Sequence, residues 1–302
     1  MKVSSISFLT FIVAFARSKI PSPVVKIDIL SPIKNDLPEL GLVFLNGADI
    51  YPSQYLDLMK EIQIQSNFSL TIALPEFKSN KPVPGPYSAA GVKQSIIELR
   101  KSGLSPQAPI VLSGHSIGAA ASQEYGYDNN DIDAVVMMAD TISRKRRADL
   151  YLTDLYFKPM MSIGGTMDGQ YRIARMAEAF YHLHDTENFS PPSNKVRDYE
   201  KNFPLVLIEG LSHMQYATGD PPKTVYLNDY VPDIETEEAH NEIAKVMAAF
   251  FSVQFKKNSQ SRSYLAAEID RTRNLQGVNK KWSYKRPSLP HFYIYNLYFS
   301  LF

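Results

Sequence analysis

The chain has 302 residues, enough for one α/β domain with a full hydrophobic core. Its 44% hydrophobic and 21% charged residues exclude disorder by composition, and its formal charge of +1 gives no indication of a nucleic-acid partner. Because the chain has no cysteine, disulfides, thiolate metal sites and a cysteine nucleophile are excluded.

Residues 1–16 have the order of features that is typical of a secretory signal peptide. Lys2 precedes a short apolar run, which ends in a small-x-small pattern at Ala14 and Ala16. The run is shorter than the roughly 20 apolar residues that span a bilayer. We therefore expect a secreted protein, extracellular or in the lumen of the secretory pathway; the alternative is a buried first strand or helix. Sequons at Asn67 and Asn188 are compatible with a glycoprotein.

Short apolar runs alternate along the chain with longer stretches whose apolar residues recur three or four apart. The runs predict strands at residues 24–30, 40–46, 70–74, 109–113, 133–138, 159–163 and 204–208. The longer stretches predict helices at 55–63, 92–104, from 117 onward, 172–182 and 235–253, with a loop at 79–88. Because the strands are apolar on both faces, we expect an α/β fold with a mostly parallel central sheet and helices on both faces.

The segment Gly114-His115-Ser116-Ile117-Gly118 lies between the apolar strand at 109–113 and a helix rich in small residues. A Gly-x-Ser-x-Gly sequence in this context predicts a nucleophile elbow, a strained strand-to-helix turn that exposes the serine hydroxyl. Gly114 and Gly118 leave room for close backbone approach, and the helix N-terminus offers N–H groups to a developing oxyanion. The alternative is a small-residue turn that only packs a helix on a sheet.

With these motifs, residues 40–251 resemble the α/β-hydrolase superfamily, in which the triad runs serine, acid, histidine along the chain. The resemblance implies that Ser116 is the nucleophile, that Asp168 is the acid after the strand at 159–163, and that His213 is the base after the strand at 204–208. It also implies an oxyanion hole built from the backbone N–H groups of Ala48 and Ile117. Many relatives have His-Gly where this chain has Asn46-Gly47.

Other candidates compete for these roles. Asp140, at the end of the strand at 133–138, is the alternative acid, and a hydrogen bond to nearby backbone is its alternative role. We expect His115 to pack or hydrogen-bond rather than act as the base. His182 and His184 are two residues apart and do not share a helix face, so they do not suit a metal. The sequence predicts no metal and no cofactor, and it contains no nucleotide-binding glycine motif.

Only 18 residues separate Asp140 from Pro159, which is too few for a large cap domain. In this respect the chain resembles the uncapped dienelactone hydrolase and chlorophyllase-like branches. The resemblance implies a serine hydrolase that cleaves small-molecule or lipid-like carboxylic esters through an acyl-enzyme. Amide hydrolysis, acyl transfer and a non-catalytic binding role on the same fold are the alternatives. Tyrosines in the segment 214–236 either line the site or pack on the body.

The helical pattern stops near residue 255, which predicts one domain at 24–255 and an extension at 256–302. The extension has nine Lys or Arg and two Asp or Glu and ends in an aromatic run, so it is basic while the rest of the chain is mildly acidic. We expect it to pack on the body or to be a remnant of a longer chain; weak contact with an anionic membrane surface is the alternative.

Overall fold

A computed structural model describes residues 22–147, 158–184 and 199–275 of the chain. The predicted signal peptide, the sequon at Asn188 and residues 276–302 lie outside these ranges, as do residues 148–157 of the short connection in which no cap domain is expected. The sequon at Asn67 lies inside them, and its asparagine is exposed.

A seven-stranded sheet forms the centre of the described chain. In chain order its strands are β1 (Val24–Leu30), β2 (Glu39–Leu45), β3 (Ser69–Phe77), β4 (Ile110–His115), β5 (Ala134–Met138), β6 (Met160–Met167) and β7 (Leu205–Ser212). They lie side by side in the order β1-β3-β2-β4-β5-β6-β7. β1 pairs antiparallel with β3 and every other neighbouring pair is parallel, which confirms the predicted α/β class and mostly parallel sheet.

Helices connect these strands and follow the last one. They are α1 (Leu56–Gln65), α2 (Pro86–Lys101), α3 (Ile117–Asp128), α4 (Ile173–His184), α5 (Tyr199–Asn202), α6 (Lys223–Tyr226), α7 (Thr236–Lys256) and α8 (Ser259–Leu275). Short 3₁₀ turns at Pro52–Tyr55 and Met214–Tyr216 precede α1 and follow β7. Within the described ranges, no helix is long and apolar enough to cross a membrane.

Successive residues of the inner strands pack into different layers, as the pleat of a strand requires. On β2, Leu42 and Phe44 join one core cluster with apolar residues of α1 and α7. Val43 and Leu45 join a second cluster with residues of α2 and α3. Both faces of the sheet are therefore covered by helices, which explains why its strands are apolar throughout rather than alternating with polar residues.

Two predicted element boundaries were wrong because each proline fits the local backbone. We expected Pro75 to end the third strand, but β3 continues to Phe77. Past Ala73, β3 pairs with β1 alone, an edge-like situation in which proline is tolerated. We expected a loop up to residue 88, but α2 begins at Pro86, where a helix needs no N–H from its first residue.

The helical pattern does not stop at residue 255. α8 follows α7 after a left-handed residue, Lys257, and packs against α7 and β7. The Thr272 hydroxyl accepts a hydrogen bond of 2.8 Å from the backbone N–H of Leu207 on β7. The first 20 residues of the predicted extension therefore belong to the packed body. The sequence pattern did not predict this helix because its buried face is narrow. The buried residues of the helix are Leu265, Ile269 and Thr272.

Candidate active site

The carboxyl ends of parallel strands meet at one edge of a sheet, and ligands of open α/β sheets bind at that edge. The predicted site residues follow four such strands. Ala48 follows β2, Ser116 follows β4, Asp168 follows β6 and His213 follows β7. The sheet order places β2, β4, β5, β6 and β7 side by side, so these residues lie along one edge.

Ser116 occupies a strained turn between β4 and α3. Its φ of 55° and ψ of −119° lie outside the regions that residues with a side chain usually adopt. Its N–H donates to Met138 O on β5, and its carbonyl accepts from the N–H groups of Ala119 and Ala120. The turn is thus fixed from the sheet and from the helix. Strain that surrounding contacts hold in this way is a feature of functional sites.

Two glycines make this turn possible. A Cβ on Gly114 would lie 2.3 Å from the carbonyl carbon of Gly118, closer than real Cβ atoms approach. A Cβ on Gly118 would lie 2.3 Å from Leu45 O and 2.5 Å from Asn46 O. The start of α3 therefore packs directly against the loop that follows β2, which brings the Ser116 turn beside the Ala48 loop.

Asp168 and His213 form a buried hydrogen-bonded pair. His213 Nδ1 lies 2.9 Å from Asp168 Oδ2 and 3.0 Å from Oδ1, and both residues are 2% exposed. Asp168 Oδ1 also accepts the backbone N–H groups of Gln170 and Tyr171, at 2.9 and 2.6 Å. A carboxylate beside Nδ1 favours the tautomer with its proton on Nδ1, which leaves Nε2 as a proton acceptor.

Asp229 joins the Asp168 loop to the His213 loop, and nothing in the sequence pattern indicated this. Its Oδ1 accepts the N–H groups of Gly169 and His213, each at 3.0 Å, and its Oδ2 accepts that of Met214 at 2.9 Å. A lone aspartate in a loop 16 residues after the histidine has no spacing signal. Its partners are backbone N–H groups, which every residue except proline has, so the residue types in the sequence do not indicate them.

Two backbone N–H groups near Ser116 are free to bind a ligand. Among the described residues, neither the N–H of Ala48 nor that of Ile117 has a hydrogen-bond acceptor. The Asn46 amide nitrogen supports the Ala48 loop by donating to Gly47 O at 2.9 Å and to Ile50 O at 2.8 Å. Asn46 thereby supplies local support to this loop.

Asp140, the alternative acid, has other partners. Its carboxylate accepts the N–H of Thr141 at 2.8 Å and the Gln123 amide at 2.9 Å, and among the described residues it has no hydrogen bond to a histidine. Burial raises the pKa of Asp140 to about 6, and the hydrogen bond from Thr141 partly opposes this rise. The geometry thus pairs His213 with Asp168 and gives Asp140 a local hydrogen-bonding role.

His115 and Tyr55 lie beneath the site, fully buried. Tyr55 Oη accepts the N–H of Gly47 at 2.8 Å and lies 2.9 Å from His115 Nδ1. The His115 ring contacts the rings of His213 and Tyr216, with centroids 4.7 and 4.8 Å apart. His115 thus packs and hydrogen-bonds, which is the role that its place inside the elbow suggested.

The described residues contain no hydrogen bond between the Ser116 hydroxyl and the His213 ring. Ser116 is half-buried and accessible, whereas His213 is 2% exposed. Hydrogen bonds between catalytic groups are often long or poorly aligned without substrate and tighten in the complex. The structure therefore joins Asp168 to His213 directly, and His115, the residue before Ser116, contacts the His213 ring.

A cavity of 410 Å³ lies behind the His213 loop. It is lined largely by apolar groups between residues 212 and 236, among them Met214, Val225 and Tyr230. Tyr226 and Tyr230 are 74% and 55% exposed, whereas Tyr216 is fully buried against His115. Tyr216 therefore packs in the core, whereas Tyr226 and Tyr230 lie at the surface beside this cavity.

No protein-family model matches the chain, and no curated protein shows significant similarity to it. In the part of the chain that the structure describes, no group of three or more His, Cys, Asp or Glu side chains is arranged to hold a metal ion. The assignment of function therefore depends on the geometry of the serine, histidine and aspartate.

Proposed function

We propose that this chain is a serine hydrolase of the α/β-hydrolase superfamily that cleaves carboxylic esters. The observation that carries the proposal is the buried Asp168–His213 pair, at the same sheet edge as the strained Ser116. A serine in such a turn has little structural reason to be there, because a glycine would adopt its positive φ without strain. Acyl transfer to a serine by the triad mechanism uses a serine, a base and an acid at one place.

Each residue has a role that its contacts support. Ser116 attacks the ester carbonyl while His213 Nε2 takes its proton, and Asp168 stabilises the imidazolium that forms. The N–H groups of Ala48 and Ile117 stabilise the negative charge on the carbonyl oxygen. His213 then gives its proton to the leaving alcohol, and water, activated by the same histidine, releases the acid from Ser116.

The surroundings of the site favour a small or lipid-like ester. The segment after His213 presents the exposed apolar side chains Tyr226, Leu227, Tyr230 and Val231, and it borders the apolar cavity. Apolar walls of this kind contact acyl or alkyl chains. Amide hydrolysis and acyl transfer to an alcohol use the same residues, and product analysis with water and with alcohol acceptors distinguishes them. The predicted signal peptide makes the secretory pathway or the extracellular space the proposed place of action.

A second candidate function, a non-catalytic binding protein on the same fold, is favoured by one observation. Among the described residues, Ser116 and His213 are not hydrogen-bonded to each other. A protein in which the base cannot reach the nucleophile would also lack this hydrogen bond. Against it stands the hydrogen bonding of Asp168 and Asp229, which orients His213 far more closely than a binding surface requires.

Hydrolysis of p-nitrophenyl esters of increasing chain length tests the proposal. We expect the wild-type chain to turn over these esters, with the preferred chain length reporting the size of the acyl site. Ser116→Ala should lower kcat by about 10³-fold or more. The matched control is Ser113→Ala, in β4, the strand that leads to Ser116. It removes a buried hydroxyl that has no hydrogen-bond partner among the described residues, and it should leave kcat unchanged. Equal activity of the two variants would contradict the proposal.

A further inference from the structure

Tyr55 and His115 form a buried polar pair that the proposed reaction does not itself use. Tyr55 lies at the end of the 3₁₀ turn before α1, and His115 is the last residue of β4, 60 residues later in the chain. Both are 0% exposed. Burying two polar rings is costly unless they are hydrogen-bonded, so their arrangement has a defined pattern of donors and acceptors.

The hydrogen bonds assign the protons of this pair. The N–H of Gly47 donates to Tyr55 Oη, and within the described chain His115 Nδ1 is the other partner of that hydroxyl. The hydroxyl hydrogen is satisfied only if it is donated to Nδ1, which is then an acceptor. Burial lowers the pKa of His115 well below its usual value, and the nearby His213 lowers it further. Burial also raises the pKa of Tyr55. The tyrosine is thus a donor and the histidine a neutral ring.

The same pair determines the path of the loop after β2. A Cβ on Gly47 would lie 2.8 Å from His115 Nδ1 and 3.1 Å from Tyr55 Oη, so the backbone packs directly on these two side chains. The Tyr55 hydroxyl also accepts the N–H of Gly47, so this N–H cannot bind a ligand. The next N–H along the loop, that of Ala48, is the one left without an acceptor among the described residues.

His115 contacts the proposed base as well. Its ring centroid lies 4.7 Å from that of His213, with the two planes at 46°. Asp168 holds His213 at Nδ1. The neutral His115 ring therefore contacts His213, the proposed base. The Nδ1 atom of His115 is hydrogen-bonded to the Tyr55 hydroxyl, which in turn holds the loop after β2.

We infer that Tyr55 and His115 are positioning residues, which couple the Ala48 oxyanion-side loop to the His213 imidazole through one shared hydrogen bond. The inference rests on the proposed function and deepens it. The Tyr55 hydroxyl fixes the direction of the Asn46–Gly47 peptide, the unit before the one that carries the Ala48 N–H, and the tautomer of His115. His115 in turn supports the ring of His213. Neither residue touches the reacting atoms, so their loss should affect the transition state more than the binding of substrate.

Steady-state kinetics of the full chain, together with the affinity for a trifluoromethyl ketone, test this. The ketone forms a hemiketal oxyanion with the serine and therefore reports the oxyanion site directly. Tyr55→Phe removes a single oxygen, and we expect it to lower kcat about 10- to 100-fold with KM within about twofold. It should weaken ketone binding by the same factor as it lowers kcat/KM. The matched control is Tyr125→Phe, which removes a buried hydroxyl bonded to Asp131. It should lower the melting temperature and leave the kinetics unchanged.

A second pair of variants covers the case in which Tyr55→Phe does not fold. The Oδ1 atom of asparagine can accept the Tyr55 hydroxyl but provides no ring to contact His213, so His115→Asn should lose less activity than His115→Leu, which should lose at least as much as Tyr55→Phe. The inference is overturned if Tyr55→Phe, or His115→Leu, matches Tyr125→Phe in kcat and ketone affinity. A wild-type chain that neither hydrolyses esters nor binds the ketone would overturn the proposed function and this inference together.

Discussion

The Asp168 carboxylate accepts hydrogen bonds from a side chain and from its own loop. His213 Nδ1 contacts both of its oxygens, and the N–H groups of Gln170 and Tyr171 donate to one of them. The loop after β6 thus orients the Asp168 carboxylate through its own backbone, in addition to the hydrogen bond from His213. Asp140, one strand away, accepts from Thr141 and Gln123 and has no such relation to a histidine of the described chain.

This difference between the two carboxylates gives a prediction. Asp168→Ala should lower kcat for ester hydrolysis by about 10³- to 10⁴-fold, because His213 loses the group that fixes its tautomer and stabilises its charged form. Asp140→Ala should lower kcat less than about tenfold, since its carboxylate accepts from Thr141 and Gln123 and has no hydrogen bond to a histidine of the described chain. The two rates, measured on p-nitrophenyl acetate, decide which acid serves the base. A larger loss in the Asp140 variant would reverse the assignment.

At the scale of single residues, the sequence indicated the groups at strand ends and missed the contacts that are assembled from distant parts of the chain. Ser116, Asp168 and His213 each come directly after a strand, and the resemblance to the α/β-hydrolase superfamily suggested that they meet. Tyr55 meets His115 across 60 residues, and Asp229 reaches its partners through backbone N–H groups. No spacing rule covers either contact, because both depend on how loops pack.

The loops after β6 and β7 are held together by one side chain. Asp229 accepts N–H groups from Gly169 in the first loop and from His213 and Met214 in the second. Gly169 must be a glycine for this contact, since a Cβ there would lie 1.9 Å from Asn228 O. The relative position of Asp168 and His213 thus depends on a third segment, which lies between α6 and α7.

We predict that Asp229→Ala destabilises the protein by about 2–4 kcal/mol and lowers kcat by about 10- to 100-fold, because four backbone donors, three of them in the two loops, lose their acceptor and the two loops separate. Asp229→Asn keeps one oxygen and should show a smaller loss in both. Exposed Asp233, in the same segment, provides the control, and Asp233→Ala should leave both quantities unchanged. Urea denaturation and ester hydrolysis measure the two effects. Wild-type values for Asp229→Ala would show that the loops are held by other contacts.

At the scale of elements, the mostly parallel sheet and its layers could be predicted, whereas several boundaries could not. Doubly apolar strands alternating with amphipathic stretches required a parallel sheet covered on both faces. α8 escaped prediction because its buried face consists of few residues, so that its pattern resembles a solvated tail. Its place is determined by tertiary contacts with α7 and β7, which the local pattern does not contain.

The molecule as a whole buries several histidines in neutral form. Burial lowers the pKa values of His115, His184 and His240, in the case of His184 to about 4. Each of these rings takes up a proton near pH 6.5 in the unfolded chain but only at lower pH in the folded one. The unfolded state therefore binds more protons below pH 6.5, and stability falls as the pH decreases. Asp140 acts in the opposite direction, since its raised pKa lets the folded state bind a proton near pH 6.

Because three histidines outweigh one carboxyl group, we predict that the free energy of unfolding falls by about 2 kcal/mol between pH 6 and pH 5. Urea denaturation across this range measures the slope. His240→Gln removes one of the titrating rings and should make the slope shallower by up to about 1.4 kcal/mol per pH unit. A free energy of unfolding that stays constant or rises from pH 6 to pH 5 would show that these histidines are not neutral in the folded protein.

The central claim is that Ser116 is a nucleophile activated by His213, and its covalent labelling tests this most directly. The protein is treated with a fluorophosphonate, and the modified residue is located by mass spectrometry of its peptides. Our account predicts one adduct, on Ser116, that is absent in Ser116→Ala, is formed at least about 10³-fold more slowly in His213→Ala, and persists in Ser113→Ala. No labelling of the wild-type chain, or an adduct on another residue that survives Ser116→Ala, would contradict the account.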